Sequence, residues 1–168
     1  MKKSTKTLIG AGFLILVSFF TFVLYQRQKQ TSFFSSEDIL VVKWEVLHQL
    51  DYKSGTIPDV LKKIDGKMVK IPGFLVPLSD NYNVLNEFLL VPDPQSCIHV
   101  PPPPPNLIVH VHLKEPIPSE EAFNPAWIIG RLKIETTESE YGSASYKMQA
   151  DKLEKFNYEE YDQYQNGK

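Results

Sequence analysis

Only one cysteine, Cys97, occurs in 168 residues, so no disulfide can close within the chain and the fold must rest on its core. Glycine-rich phosphate loops, a Ser-His-Asp order and the paired cysteines of a zinc knuckle are all missing, which removes the commonest nucleotide, hydrolase and zinc-finger signatures. Basic charge is also scarce where nucleic acid would need it. Five of the 18 Lys and Arg residues flank an N-terminal apolar run, and all 20 acidic residues lie beyond that run. From Thr31 onward thirteen basic residues face twenty acidic ones, a net charge of −7. A domain of that sign is poorly suited to a phosphate backbone, which Lys and Arg bind by displacing counterions. No nucleic acid is expected as a partner.

What is present suits one modest core: 42% of residues are hydrophobic and 23% charged. Lys2, Lys3 and Lys6 precede an uncharged, mostly apolar run over 7–26, and about 20 apolar residues in a helix suffice to cross a bilayer. A cleaved signal peptide would begin the same way but end on small residues. Here the end reads Phe22-Val23-Leu24-Tyr25-Gln26-Arg27, with neither a small-x-small step nor a lipid-accepting cysteine. An uncleaved anchor is therefore preferred. Three lysines before the run against Arg27 and Lys29 after it favour a cytoplasmic N-terminus. The expected address is a single-pass inner-membrane protein whose C-terminal domain lies in the periplasm. Residues 1–30 then hold a cytoplasmic stub, the anchor and the start of a tether, 31–36 the tether, 37–150 the globular domain, and 151–168 a polar, Tyr-rich tail.

Within the domain, Leu40, Val41, Trp44, Leu47 and Leu50 recur at steps of three and four, predicting an amphipathic helix over 37–50 with Trp44 anchored in the core. Val60, Leu61 and Ile64 suggest one more helical turn before the turn dipeptide Asp65-Gly66. The period then changes to two. Val69, Ile71, Gly73 and Leu75 share a face of an extended segment in which Pro72 excludes a flat central strand and Gly73 marks a bend. Further strands are expected over 84–91, 107–113, 126–135 and 145–150. In the third of these five, Val109, Val111 and Leu113 face one side, and Ile108, His110 and His112 the other. The pattern is mainly β with an N-terminal helix: a small five-stranded barrel of the OB-like kind behind a single transmembrane helix. The tail carries Tyr158, Tyr161 and Tyr164 three apart, which could form a docking face, although a frayed terminus is the preferred reading.

One connection is unusual. Cys97-Ile98-His99-Val100 runs into Pro101, Pro102, Pro103, Pro104 and Pro105 and then Asn106. Five prolines make a stiff polyproline II rod of roughly 15 Å at about 3.1 Å per residue, and they carry no backbone N–H that must be satisfied. The loop is therefore the expected contact surface for a membrane or periplasmic protein partner. Spanning a gap, or serving as ligand for an SH3- or WW-like groove, are the other readings. Cys97 and His99 are also zinc or copper donors, and His110 and His112 follow on the next strand. Strand rise spaces those two histidines by about 7 Å, so a shared ion requires the loop to fold over their face. Without that, no cofactor is expected. A nucleophilic role would set His99 as base beside Cys97, but the nearest carboxylate, Asp93, stands across Pro94, and no second cysteine could resolve a mixed disulfide. No catalytic residue is assigned, and the chain reads as a non-enzyme.

Taken together, Trp44-x-x-Leu47-x-x-Leu50, Asp65-Gly66-Lys67, Ile71-Pro72-Gly73-Phe74-Leu75-Val76-Pro77-Leu78, Glu87-Phe88-Leu89-Leu90-Val91-Pro92, the Cys-x-His-x-poly-Pro-Asn run and Gly130-Arg131-Leu132 resemble the DUF3299 family of bacterial envelope proteins. The resemblance covers 44–150 and leaves out the anchor and the tail. It implies an exported or membrane-attached module, working in some cases beside transport systems of the ABC type, with no settled chemistry.

Overall fold

The computed structural model describes residues 39–78, 83–93, 103–139 and 141–166, which belong to one compact unit, Asp38–Lys168. The expected anchor and tether lie outside the described residues. Among the described residues no helix is long and apolar enough to cross a membrane.

The elements in chain order are β1 (Leu40–Val41), α1 (Trp44–Leu47), α2 (Asp59–Ile64), β2 (Met68–Pro77), β3 (Val84–Val91), β4 (Val109–Pro118), β5 (Ala126–Ser139), β6 (Gly142–Lys155) and α3 (Tyr158–Asn166). Short 3-10 turns occupy Pro105–Leu107 and Ser119–Phe123. Sheet order is β1-β2-β3-β4-β6-β5, and β5 returns to pair with β2. Strands β2 to β6 thus close a five-stranded barrel, and the protein is mainly β with few helices. Neighbours in the barrel are antiparallel except β4 and β6, which run parallel.

The period-two pattern explains which side chains fill the barrel. Val109, Val111 and Leu113 of β4 point inward, joined by Ile128 and Leu132 of β5 and Tyr146, Met148 and Ala150 of β6. Side chains therefore occupy the lumen, as in other small barrels. Strand β2 serves two neighbours: Met68 to Gly73 pair with β5, and Phe74 to Pro77 pair with β3. Gly73, where a bend is expected, stands at this handover within a continuous strand, and a Cβ there would lie 2.7 Å from the Val91 carbonyl oxygen. Pro72 still contributes a polar contact, because its carbonyl accepts the Trp44 indole N–H at 2.7 Å.

Three expectations need correction. The helix over 37–50 is a single turn, Trp44–Leu47, preceded by β1. Leu40 and Val41 lie beside Val69 and Lys70 in parallel register, and the Val42 N–H donates to the Lys70 carbonyl at 3.0 Å. Trp44, Leu47 and Leu50 are nonetheless all buried; the apolar spacing reports burial there, while an available strand edge takes the backbone of 40–42. Strand boundaries also shift. β4 runs on to Pro118 while Leu107 sits in the preceding 3-10 turn, and β5 and β6 form a long hairpin whose polar outer part, 136–144, hid its extent. A domain boundary at 150 would cut β6, which ends at Lys155.

The tail is the third correction. Instead of fraying, it forms α3 and packs on the outer face of the barrel over a second apolar cluster that includes Phe74, Leu89, Val91 and Phe156. Tyr161 is buried, meets the Phe74 ring edge-on at 5.0 Å and donates its hydroxyl to the Pro92 carbonyl. Tyr164 meets Trp127 at 4.9 Å and donates to the Val42 carbonyl at 3.2 Å. Burial, with Glu45 nearby, pushes the Tyr164 phenol up to about 12.

Candidate functional site

Of the 97–106 loop, Cys97, His99, Pro101 and Pro102 lie outside the described residues, whereas Pro103, Pro104, Pro105 and Asn106 are described. A one-turn helix such as α1 cannot satisfy its own final carbonyls. The Leu50 N–H reaches the Leu47 carbonyl at 3.2 Å and the Tyr52 N–H that of Leu50 at 3.1 Å, and more distant side chains add further donors. The Asn106 side-chain amide donates to the carbonyls of His48 and Leu50, both at 2.9 Å, and the Tyr146 hydroxyl donates to that of Leu47 at 2.6 Å. Asn106 is buried at 4% exposure, so the end of the proline run is pinned to the core. Leu107 N–H then donates to the Pro104 carbonyl at 2.8 Å and Ile108 N–H to that of Pro105 at 3.2 Å, closing the 3-10 turn that feeds β4.

Beside this pinned segment is a cleft of about 390 Å³, lined by the three prolines, Tyr52, Tyr141 and Ser143 among others. The tyrosines come from two separate turns. Tyr52 follows Asp51, whose carboxylate accepts the N–H groups of Lys53 and Ser54 and the Ser54 hydroxyl. These bonds, that of the Ser54 hydroxyl first, hold the Asp51 carboxyl below its ordinary range. Gly55, at φ 72°, completes the turn by donating to the Asp51 carbonyl at 2.8 Å. Tyr141 stands at the tip of the β5–β6 hairpin. There the Ser139 hydroxyl oxygen accepts the Tyr141 N–H at 3.3 Å and its O–H donates to the Gly142 carbonyl at 2.8 Å. Tyr52 is 40% exposed and Tyr141 49%, so both rings present apolar surface to solvent. At the rim the Ser143 hydroxyl lies 2.8 and 2.7 Å from the two oxygens of the exposed Glu138 carboxylate.

The histidines of the metal reading take separate partners. His110 and His112 share the outer face of β4, as alternation requires. His110 Nε2 lies 2.8 Å from Glu87 Oε1, and its buried Nδ1 has no partner among the described residues. His112 is exposed and borders a different groove, with Arg131, Lys133 and Lys147. Among the described residues no group of three His, Cys, Asp or Glu side chains is gathered as a metal site would need.

Sequence reasoning missed Tyr52 and Tyr141. A signal existed: each sits one to three residues before a glycine that needs positive φ, Gly55 or Gly142.

Residues 27–155 match the family described as "Protein of unknown function (DUF3299)". The crystal structure of a DUF3299 family protein from Pseudomonas aeruginosa is similar, with 35% sequence identity and a TM-score of 0.54, over 70% of this chain and 84% of that one. No curated protein matches the chain.

Proposed function

The chain belongs to the DUF3299 family, proteins of unknown function, and from that premise we propose that it is a binding or adaptor module whose contact surface is the 97–106 loop. In this reading the apolar run 7–26 holds the barrel at the periplasmic face of the inner membrane, and the partner is a membrane or periplasmic protein, such as a component of an ABC-type transport system. The barrel is taken to be of the OB type. Its first strand, β2, pairs with the second and fourth, and its third and fifth strands are adjacent and parallel. Barrels of that type bind with loops and a strand face rather than with a lumen.

One observation carries the proposal. Asn106 pins a proline segment to the carbonyls of His48 and Leu50 while two exposed tyrosines from other turns stand beside it. A rigid, preorganised surface of this kind loses little entropy on association. Aromatic side chains are also enriched at interface centres.

Site-specific photo-crosslinking in native membranes tests it. A photoreactive residue in place of Pro103 is expected to yield a discrete heavier adduct, and the same residue in place of Lys62 on α2 is expected to yield none. Identical adduct patterns from the two positions, or none from either, would remove the loop as a contact surface.

A further inference from the structure

The chemistry of the cleft is specific enough to name the class of partner. We propose that the cleft formed by Tyr52, Tyr141 and Pro103, Pro104 and Pro105 binds an extended, proline-containing peptide segment that carries Arg or Lys, an inference that rests on reading the loop as a contact surface.

Three features select that ligand. First, the lining is mainly apolar: two tyrosines, three prolines and Ile108 line one groove, with Gly142 and Ser143. Aromatic-lined grooves take polyproline II ligands, because that helix is already extended and loses little entropy when bound. Second, the proline wall cannot pair with a β-strand. Its residues have no N–H, and the carbonyls of Pro104 and Pro105 already accept from Leu107 and Ile108. A strand added edge-on would leave its own backbone groups unpaired there, whereas a polyproline II segment has no ladder to satisfy. A sugar is disfavoured for a related reason. It needs a dense set of hydrogen-bonding groups, and the Ser143 hydroxyl is engaged by Glu138.

Third, two acidic residues adjoin the lining. Glu138 is exposed and its carboxylate meets the hydroxyl of the lining Ser143, and Asp51 precedes the lining Tyr52 in its turn. A guanidinium entering here can lie over a tyrosine face and meet a carboxylate at once. Lys53 shares the Tyr52 turn with its side chain exposed, so an anionic peptide is the control that tests the sign. The domain's net charge of −7 from Thr31 onward also favours encounter with a basic segment.

The test is fluorescence anisotropy on the full-length chain, titrated into rhodamine-labelled peptides. One peptide repeats Pro-Pro-Arg, a second repeats Pro-Pro-Glu and a third repeats Gly-Ser-Arg. Saturable binding is expected for Pro-Pro-Arg, with affinity about tenfold lower for each of the other two. Tyr52→Ala and Tyr141→Ala are each expected to weaken it by about tenfold, the scale of one lost aromatic contact of about 1.4 kcal/mol. Glu138→Gln is expected to weaken it about threefold and to flatten its salt dependence. All three positions are exposed, so the variants keep the fold. Equal binding of Pro-Pro-Glu or Gly-Ser-Arg, or indifference to both tyrosine substitutions, overturns the inference. If those results coincide with a Pro103 crosslink that persists, the loop is a contact surface of another chemistry and only this inference falls. Loss of the crosslink as well removes both.

Discussion

Asn106 shows how one amide can join a loop to a core. Its two N–H groups serve two carbonyls just past α1, the part-buried one of His48 and the buried one of Leu50, which also accepts the Tyr52 N–H. Replacing the donors with acceptors should therefore be far worse than shortening the side chain. Asn106→Ala is expected to lower stability by roughly 1–3 kcal/mol, the range for leaving a buried polar group unpaired. Asn106→Asp is expected to lower it by roughly 3–5 kcal/mol at pH 8, where a charge would be buried beside carbonyl oxygens. Such a carboxyl titrates above its ordinary range, and its protonated form can donate one bond. The deficit should then shrink as pH falls from 8 to 5, while that of Asn106→Ala stays constant. Denaturant unfolding of the three proteins at both pH values checks this; equal pH profiles would mean that the amide does not act as the donor.

At the scale of elements, the seam joining β2, β5 and β6 is reinforced by charge. Glu154 on β6 is within 2.6 Å of both Lys152 on its own strand and Lys70 on β2. The Lys70 ammonium also lies 4.9 Å from the centre of the Trp127 ring on β5. Lys152 first, then Lys70, hold the Glu154 carboxyl down to about 2, against an ordinary value of 4.5. A carboxyl lowered on folding adds stability above its unfolded pKa, and that contribution is lost as pH falls through the interval down to the folded value. Glu154→Gln should therefore melt below the parent at pH 7, with the difference narrowing between pH 4.5 and pH 2. Because the group is near the surface, the difference at neutral pH is expected to be small and to fade in high salt. A gap independent of pH would assign the effect to packing on Trp127 rather than to charge.

For the whole molecule, barrel closure depends on close approach between β5 and β6. At the bulge that includes Gly130, an added Cβ would fall on the Gln149 carbonyl and the Ala150 Cα. Backbone cannot swing aside as a side-chain tip can, so Gly130→Ala is expected to lower stability by roughly 1–3 kcal/mol. Gly66→Ala has open space around it and would pay only for its positive φ of 71°, a smaller loss. Thermal melts of the two variants order them; an equal or reversed order would mean that the barrel relaxes at the bulge.

Much of this was legible in the chain itself. The apolar run Val84–Val91 identified a strand, and alternation through Val109, Val111 and Leu113 identified another and the face it buries, because side-chain direction in a strand follows from covalent geometry alone. Trp44 could be assigned as a core anchor for equally local reasons. The family likeness also followed from residues in order. What the sequence could not decide is where unsatisfied backbone and apolar faces find partners. Leu40 and Val41 fit a helical stripe, but the open edge of β2 near Val69 and Lys70 recruits them as β1. Tyr161 and Tyr164 fit a frayed tail, but Phe74 and Trp127 on the outer barrel wall give α3 something to cover. Tyr52, Pro103 and Tyr141 are about fifty and about forty residues apart in turn, and they meet only because closure brings three turns to one end of the barrel. Local periodicity fixes which face of a strand is buried; tertiary contact alone determines which distant groups end up sharing a surface.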